Sequence, residues 1–238
     1  MDPLNLKKLN AARRARQAVA LVTSIADGRD RIVLEGDPVG GELGEALGKA
    51  FRSGKSTMVT ADGAEFFINV HLPPARIVVI GAVHISQALA PMAKIAGFDI
   101  EIIDPRTAFA SPERFEGVTL HADWPQNVLP ERPFDAWTAV AAVTHDPKID
   151  DPALEAALKA GCFYIGALGS RKTHARRVER LTEAGFTADE IGRIAAPIGL
   201  DIGAASPAEI AVAVLAQIIR ALRTRGLAGP RVQKGEAA

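Results

Sequence analysis

The chain has 238 residues, room for one α/β domain of ~150 residues and a smaller module. With 48% hydrophobic residues it can bury a full core, and with Lys+Arg equal to Asp+Glu at 28 each it has no global field to draw nucleic acid or an anionic membrane. A single cysteine, Cys162, excludes an intramolecular disulfide and argues against a cysteine-based metal site.

The opening residues, MDPLNLKKLNAARRARQ, are basic and lack the apolar stretch of a secretory signal. They are read as a solvated arm or amphipathic helix. No apolar run approaches the ~18–20 residues that span a bilayer. A cytoplasmic protein with neither membrane nor nucleic-acid partners is expected. Residues 18–23, 31–34, 56–60 and 66–70 read as short strands, and 42–52 as a helix. Gly28, Gly36 and the Asp62-Gly63 pair punctuate them, and Asp-Gly signals a hairpin. This is a small α+β module over residues 1–72.

After Pro73-Pro74 the rhythm changes to strand, helix, strand. Strands are predicted over 76–80, 99–103, 118–121, 137–144 and 163–168, and helices over 85–96, 151–160 and 173–184. Thr187 and Glu190 have capping-box spacing for a short helix. Ser206, Pro207 and Glu209 open a long last helix with a cap, an N1 proline and an N3 acid. Its Ala/Val/Ile-rich stretch to Leu222 fits either core or a dimer face, and a homo-oligomer is expected. Buried strands alternating with helices imply a Rossmann-like parallel sheet covered on both faces, over residues 73–226. Residues 227–238 read as a flexible tail.

The turn after the first of these strands is Gly81-Ala82-Val83-His84-Ile85-Ser86. A dinucleotide fingerprint wants glycines at 81, 83 and 86, and only Gly81 is present. Val83 adds two methyl groups where backbone should approach a pyrophosphate, which weakens an NAD(P) site. Asp104 ends the second strand about 20 residues on, where an acid can meet a ribose hydroxyl. With Pro105 it equally makes a strand-ending turn. Thr144-His145-Asp146 ends the fourth strand, and His145 is either an acid/base or donor group or a structural histidine.

The fifth strand runs into Gly166-Ala167-Leu168-Gly169-Ser170-Arg171-Lys172. Gly166 and Gly169 permit a close turn, Ser170 can cap the next helix, and Arg171 and Lys172 add charge. Together they read as an anion site at a helix N-terminus. The bland alternative is that Arg171, Lys172, Arg176 and Arg177 form a solvated helix face. Asp201 and Gly203 lie in a second glycine-bearing loop, Pro197 to Gly203, where Asp201 either faces the same crevice or satisfies loop amides. Arg52-Ser53-Gly54-Lys55-Ser56-Thr57 resembles the end of a P-loop, but Lys49 stands where glycine is required and a strand follows it, so it is read as a turn.

The stretches THDP, YIGALGSRKTHARRVERL and RIAAPIGLDIGAASPAEIAVAVLAQII resemble the C-terminal signature of the XdhC/CoxI family. The stretch RIVVIGAVHISQALAPMAKIAGFDIEIIDPR resembles the start of the same domain, and the likeness covers about residues 74–222. The resemblance implies an accessory factor for xanthine dehydrogenase, carbon monoxide dehydrogenase or a related molybdenum hydroxylase. It implies binding of molybdenum cofactor (molybdopterin), support of its sulfuration by a cysteine desulfurase, and insertion into the apoenzyme. His84, His145, Gly166, Gly169, Ser170, Arg171, Asp201 and Gly203 fall on the family's motif positions. Two positions depart: Val83 replaces a glycine, and Glu42 follows Gly40-Gly41 where many members carry cysteine. A carboxylate cannot carry a persulfide and is a hard ligand. Cys162, just before a buried strand, is read as structural. The leading expectation is a cofactor-binding chaperone rather than an enzyme. An NAD(P)-dependent oxidoreductase and a ligand-free regulatory scaffold are the alternatives.

Overall fold

The computed structural model describes residues 2–225 and separates into two compact units: the chain up to Pro73 with Arg225, and Pro74–Thr224. The expected tail from residue 227 lies outside the described residues.

The first unit contains α1 (Pro3–Arg14), β1 (Val19–Ser24), β2 (Asp30–Leu34), α2 (Gly41–Ser53), β3 (Thr57–Ala61) and β4 (Ala64–His71). Its strands form an antiparallel sheet in the order β2-β1-β4-β3. The opening segment is a true helix, capped by Asp2 on the Leu4 amide, with Leu9 and Ala12 buried against Val19. Gly54 closes α2 in the left-handed conformation (φ 68°) and β3 follows. The P-loop lookalike therefore runs from helix to strand, the reverse of a phosphate-binding loop. Glu42, in the first turn of α2, accepts the Asp62 amide of the β3–β4 hairpin at 2.8 Å.

The second unit contains β5 (Arg76–Ile80), α3 (His84–Ile95), β6 (Asp99–Ile103), β7 (Thr119–His121), α4 (Pro125–Val128) and β8 (Thr138–Ala142). It continues with α5 (Pro147–Lys159), β9 (Tyr164–Ala167), α6 (Arg171–Glu183), α7 (Ala188–Ile191), β10 (Ile194–Ala195) and α8 (Pro207–Thr224). All strands are parallel, in the order β10-β9-β8-β5-β6-β7. This is the doubly wound dinucleotide-domain order, and it reverses between β5 and β8. Alternation along each strand builds both core layers. Ile77, Val79, Ala139 and Ala141 pack with Leu89 of α3 and Val214 and Ile218 of α8. Val78, Ile80, Val140 and Ala142 pack with Leu154 of α5 and Leu181 of α6 on the other face. The inner side of α8 is core, with Ala211, Val214 and Ile218 buried, while Val212 on its outer side is exposed. No helix among the described residues is long and apolar enough to cross a membrane.

Candidate functional site

In an open parallel sheet the crevice lies outside the carboxyl ends of the strands where the order reverses. Here the ends of β5, β8 and β9 stand side by side. Val143 N–H donates to the Ile80 carbonyl at 2.9 Å, and Leu168 N–H donates to the Ala142 carbonyl at 2.8 Å. Gly81 (φ 122°) lies so close to the β8 turn that a Cβ there would meet Thr144 Cγ2 at 2.9 Å. Only glycine fits this contact and this backbone conformation.

The β5–α3 turn is braced from within. Gly81 N–H donates to the Ile103 carbonyl at 2.9 Å, and the Ser86 hydroxyl returns to the Gly81 carbonyl. Ala82 N–H donates to Asp104 Oδ2 at 2.7 Å, and Arg114 Nη1 donates to the Ala82 carbonyl at 3.1 Å. Asp104 is fully buried, and Arg106 closes on it with Nε at 2.9 Å and Nη2 at 2.7 Å. Burial pushes the Asp104 carboxyl up, but the Arg106 guanidinium and the Ala82 and Arg106 amides outweigh it and hold it below the usual carboxylate range. Both oxygens are thus engaged by the protein. This corrects the ribose reading: Asp104 staples the glycine turn to β6, and the half-buried Arg106 covers that strand end, stacked 4.7 Å from the Phe109 ring centroid.

The β8 end carries Thr144 and His145. His145 is exposed and adopts φ 65°, a left-handed conformation costly for a residue with a Cβ. Asp146 caps α5 by accepting the Lys148 amide at 2.9 Å, and its own amide donates to Thr144 Oγ1 at 3.0 Å. On the neighbouring α3, His84 is exposed at the first helical position and Val83, at the cap, supplies no side-chain acceptor. No backbone hydrogen bond joins His84 to His145 among the described residues.

The β9–α6 turn leaves a run of amides open. Gly169 (φ 139°) approaches Thr173 so closely that a Cβ would sit 3.1 Å from it. Ser170 caps α6 by accepting the Thr173 amide at 3.2 Å. The N–H groups of Gly169, Ser170, Arg171 and Lys172 have no acceptor among the described residues. Arg171 and Lys172 are exposed in the first turn, which contains no acidic residue. Arg177 departs from the solvated-face alternative. It is 2% exposed and donates from Nη2 to the Leu168 carbonyl at 3.1 Å, while its Nη1 makes no hydrogen bond among the described residues. Sequence reasoning misses Arg177 because its register on α6 places it inward, beside Leu181, amid an otherwise basic and exposed helix.

Gly166 is not part of the rim. It sits inside β9, paired with Ala141 and Ala195, and a Cβ there would meet Tyr164 Oη at 2.5 Å and Ile198 Cγ1 at 2.6 Å. Its role is close packing, a correction to its reading as a turn glycine. The Pro197–Gly203 loop follows β10, next to β9, and is tied down by Gln217 of α8, whose Oε1 accepts Tyr164 Oη at 2.6 Å and Gly199 N–H at 2.8 Å. Asp201 and Gly203 are exposed on this loop and make no backbone hydrogen bond to Ser170 or His145 among the described residues. Cys162 is 1% exposed, and burial pushes its thiol up to about 12. Among the described residues no group of His, Cys, Asp and Glu could hold a metal ion.

Residues 77–218 match the model of the XdhC Rossmann domain. The chain is 35% identical over 159 residues to the protein YqeB of Escherichia coli K12, covering 65% of this chain and 28% of that one. It is 33% identical over 146 residues to the molybdenum cofactor insertion chaperone PaoD of the same organism, covering 61% of this chain and 40% of PaoD. It is 32% identical over 155 residues to a probable xanthine dehydrogenase subunit of Bacillus subtilis 168, covering 65% of this chain and 45% of that one. The chain thus spans less than half the length of these relatives. A crystal structure of a xanthine dehydrogenase from Bacillus halodurans shares the fold, with a TM-score of 0.61, 24% identity, and coverage of 96% of this chain and 66% of that one. With the matched domain spanning strands β5 to β10 and both core layers of the second unit, the chain belongs to the XdhC family.

Proposed function

We propose that this chain binds the phosphorylated pterin of molybdenum cofactor at the crevice over β5, β8 and β9 and assists its insertion into a molybdenum hydroxylase of the xanthine or carbon monoxide dehydrogenase type. One observation carries the reading: the unclaimed N–H groups from Gly169 to Lys172, flanked by Arg171 and Lys172 and underlain by the buried Arg177. A helix N-terminus with free amides and cationic side chains suits a phosphate. Basic residues in a first turn oppose the helix dipole, so this end of α6 is built for an anion rather than for helix stability. PaoD, a molybdenum cofactor insertion chaperone, is 33% identical to this chain over 146 residues.

The phosphate end of the cofactor fits these residues. His145 and His84 are donors within the neighbouring turns, available to the pterin edge. Among the described residues no exposed thiol is offered to the cofactor. Cys162 is buried with a strongly raised thiol, and Glu42 is engaged by the Asp62 amide. The proposed role is therefore to hold and present the cofactor, with sulfur delivered by a partner such as a cysteine desulfurase. A homo-oligomer formed through the exposed side of α8 is part of the same reading. The test is retention of molybdopterin through gel filtration, read by pterin fluorescence after denaturation. Retention supports the proposal. Micromolar NADH binding with substrate oxidation and no retained pterin would overturn it in favour of an oxidoreductase.

A further inference from the structure

Beneath the crevice, α5 and α6 share a buried charge cluster that phosphate binding alone does not call for. Asp150, in the first turn of α5, is 1% exposed, and Arg177 of α6 is 2% exposed. Each anchors a different strand-end turn. Asp150 Oδ1 accepts the Thr144 hydroxyl at 2.7 Å and the Thr144 amide at 3.3 Å. Arg177 Nη2 holds the Leu168 carbonyl at 3.1 Å. Asp151 bridges the helices, accepting Arg180 Nε at 2.5 Å and lying 4.0 Å from Arg177 Nε.

The pairing is incomplete: Asp150 Oδ2 and Arg177 Nη1 are buried and make no hydrogen bond among the described residues. Desolvating two charges and leaving part of their valence unused is a poor way to stabilise a fold. It is a good way to fix geometry, because each charge has few alternative partners. The geometry being fixed is functional. Thr144 abuts Gly81 and is followed by His145 in its left-handed conformation, and Leu168 leads directly into Gly169 and Ser170.

We propose that Asp150 and Arg177 are positioning residues that couple the His145 turn to the Gly169–Ser170 turn through the α5–α6 charge cluster. Neither touches the ligand. Asp150 sets one rim of the crevice, Arg177 sets the other, and the cluster makes the two rims respond together. The inference rests on the crevice being the ligand site proposed above. The charges facing Asp150 are Arg177 from α6 and Asp151 on its own helix, with Arg106 from the end of β6 attracted by both Asp150 and the cap residue Asp146. Burial raises its carboxyl to about 6, so its charge changes within an accessible range.

The experiment uses the full chain, labelled with nitrogen-15, without cofactor, and inorganic phosphate as the probe. In the wild type, the amides of Thr144, His145, Gly169 and Ser170 should titrate together with a midpoint of about 6. Asp150→Asn should abolish that common midpoint, shift the amides of both turns, and weaken phosphate by about tenfold, the loss typical of a supporting shell. Thr144→Val removes the same anchor without altering charge and serves if Asp150→Asn does not fold. Thr144→Ser keeps the hydroxyl and should keep the coupling. The proposal is overturned if Asp150→Asn disturbs only residues 144–146, or if the two turns titrate at separate pH values. A chain that shows the common titration but never retains pterin would remove the cofactor reading and leave this one standing.

Discussion

The N-termini of α6 and α8 both carry a serine cap, yet they finish differently. At α8 the Glu209 carboxylate reaches back to the Ala205 amide at 2.8 Å and the Ser206 amide at 2.9 Å, while Ser206 Oγ accepts the Glu209 amide at 3.2 Å. That reciprocal box satisfies the end of the helix internally. At α6 the residues after the cap are Arg171 and Lys172, no acid is present, and the amides ahead of Thr173 are left open. The two ends teach that capping and binding compete for the same N–H groups. A closed box stabilises a helix, and an open basic end keeps its donors for something else.

Breaking the contrast starts with α5, whose first turn has an acid that is buried. Between the ordinary aspartate range and about 6, the folded chain holds a proton on Asp150 that the unfolded chain releases. Its contribution to stability is therefore greatest at low pH and falls as pH rises through that window. The difference between wild type and Asp150→Asn should change by on the order of 2–3 kcal/mol between about pH 4 and pH 7, read by urea denaturation. A flat difference would show that Asp150 is not desolvated in solution. At α6, Arg171→Ala should weaken a phosphorylated pterin by about 1.5–3 kcal/mol while leaving Tm unchanged or slightly raised, since it removes a charge that opposes the dipole. An unchanged Kd by fluorescence titration would remove Arg171 from the site. At α8, Glu209→Ala should do the reverse, costing about 1 kcal/mol of stability with pterin binding intact. Equal effects of the two substitutions on binding would erase the distinction.

Much of the second unit is legible because its signals are local. The apolar runs of β5, β6 and β8 and the Ser206-Pro207-Glu209 start of α8 each announce themselves within a few residues. The sequence pattern starts α5 too late, although Asp146-Pro147 is the same cap-and-proline signal; Pro152, inside the helix, masks it. β10 is unreadable because its Ile194–Ala195 pairing exists only through β9. The candidate site is legible as a set of strand ends but not as roles. Asp104 and Gly166 sit where a ligand-facing residue is expected, and only the positions of Ala82, Arg106, Tyr164 and Ile198 show that both are consumed by packing. Arg177 can be found only by asking which of several basic residues on α6 shares a face with Leu181.

Glu42 has one more consequence. This carboxylate clasps a hairpin through the Asp62 amide. A cysteine there is shorter and a feeble acceptor, so Glu42→Cys would introduce a nucleophile and release the hairpin in one stroke. One side chain thus sets both the chemistry available at this position and the grip on the small sheet.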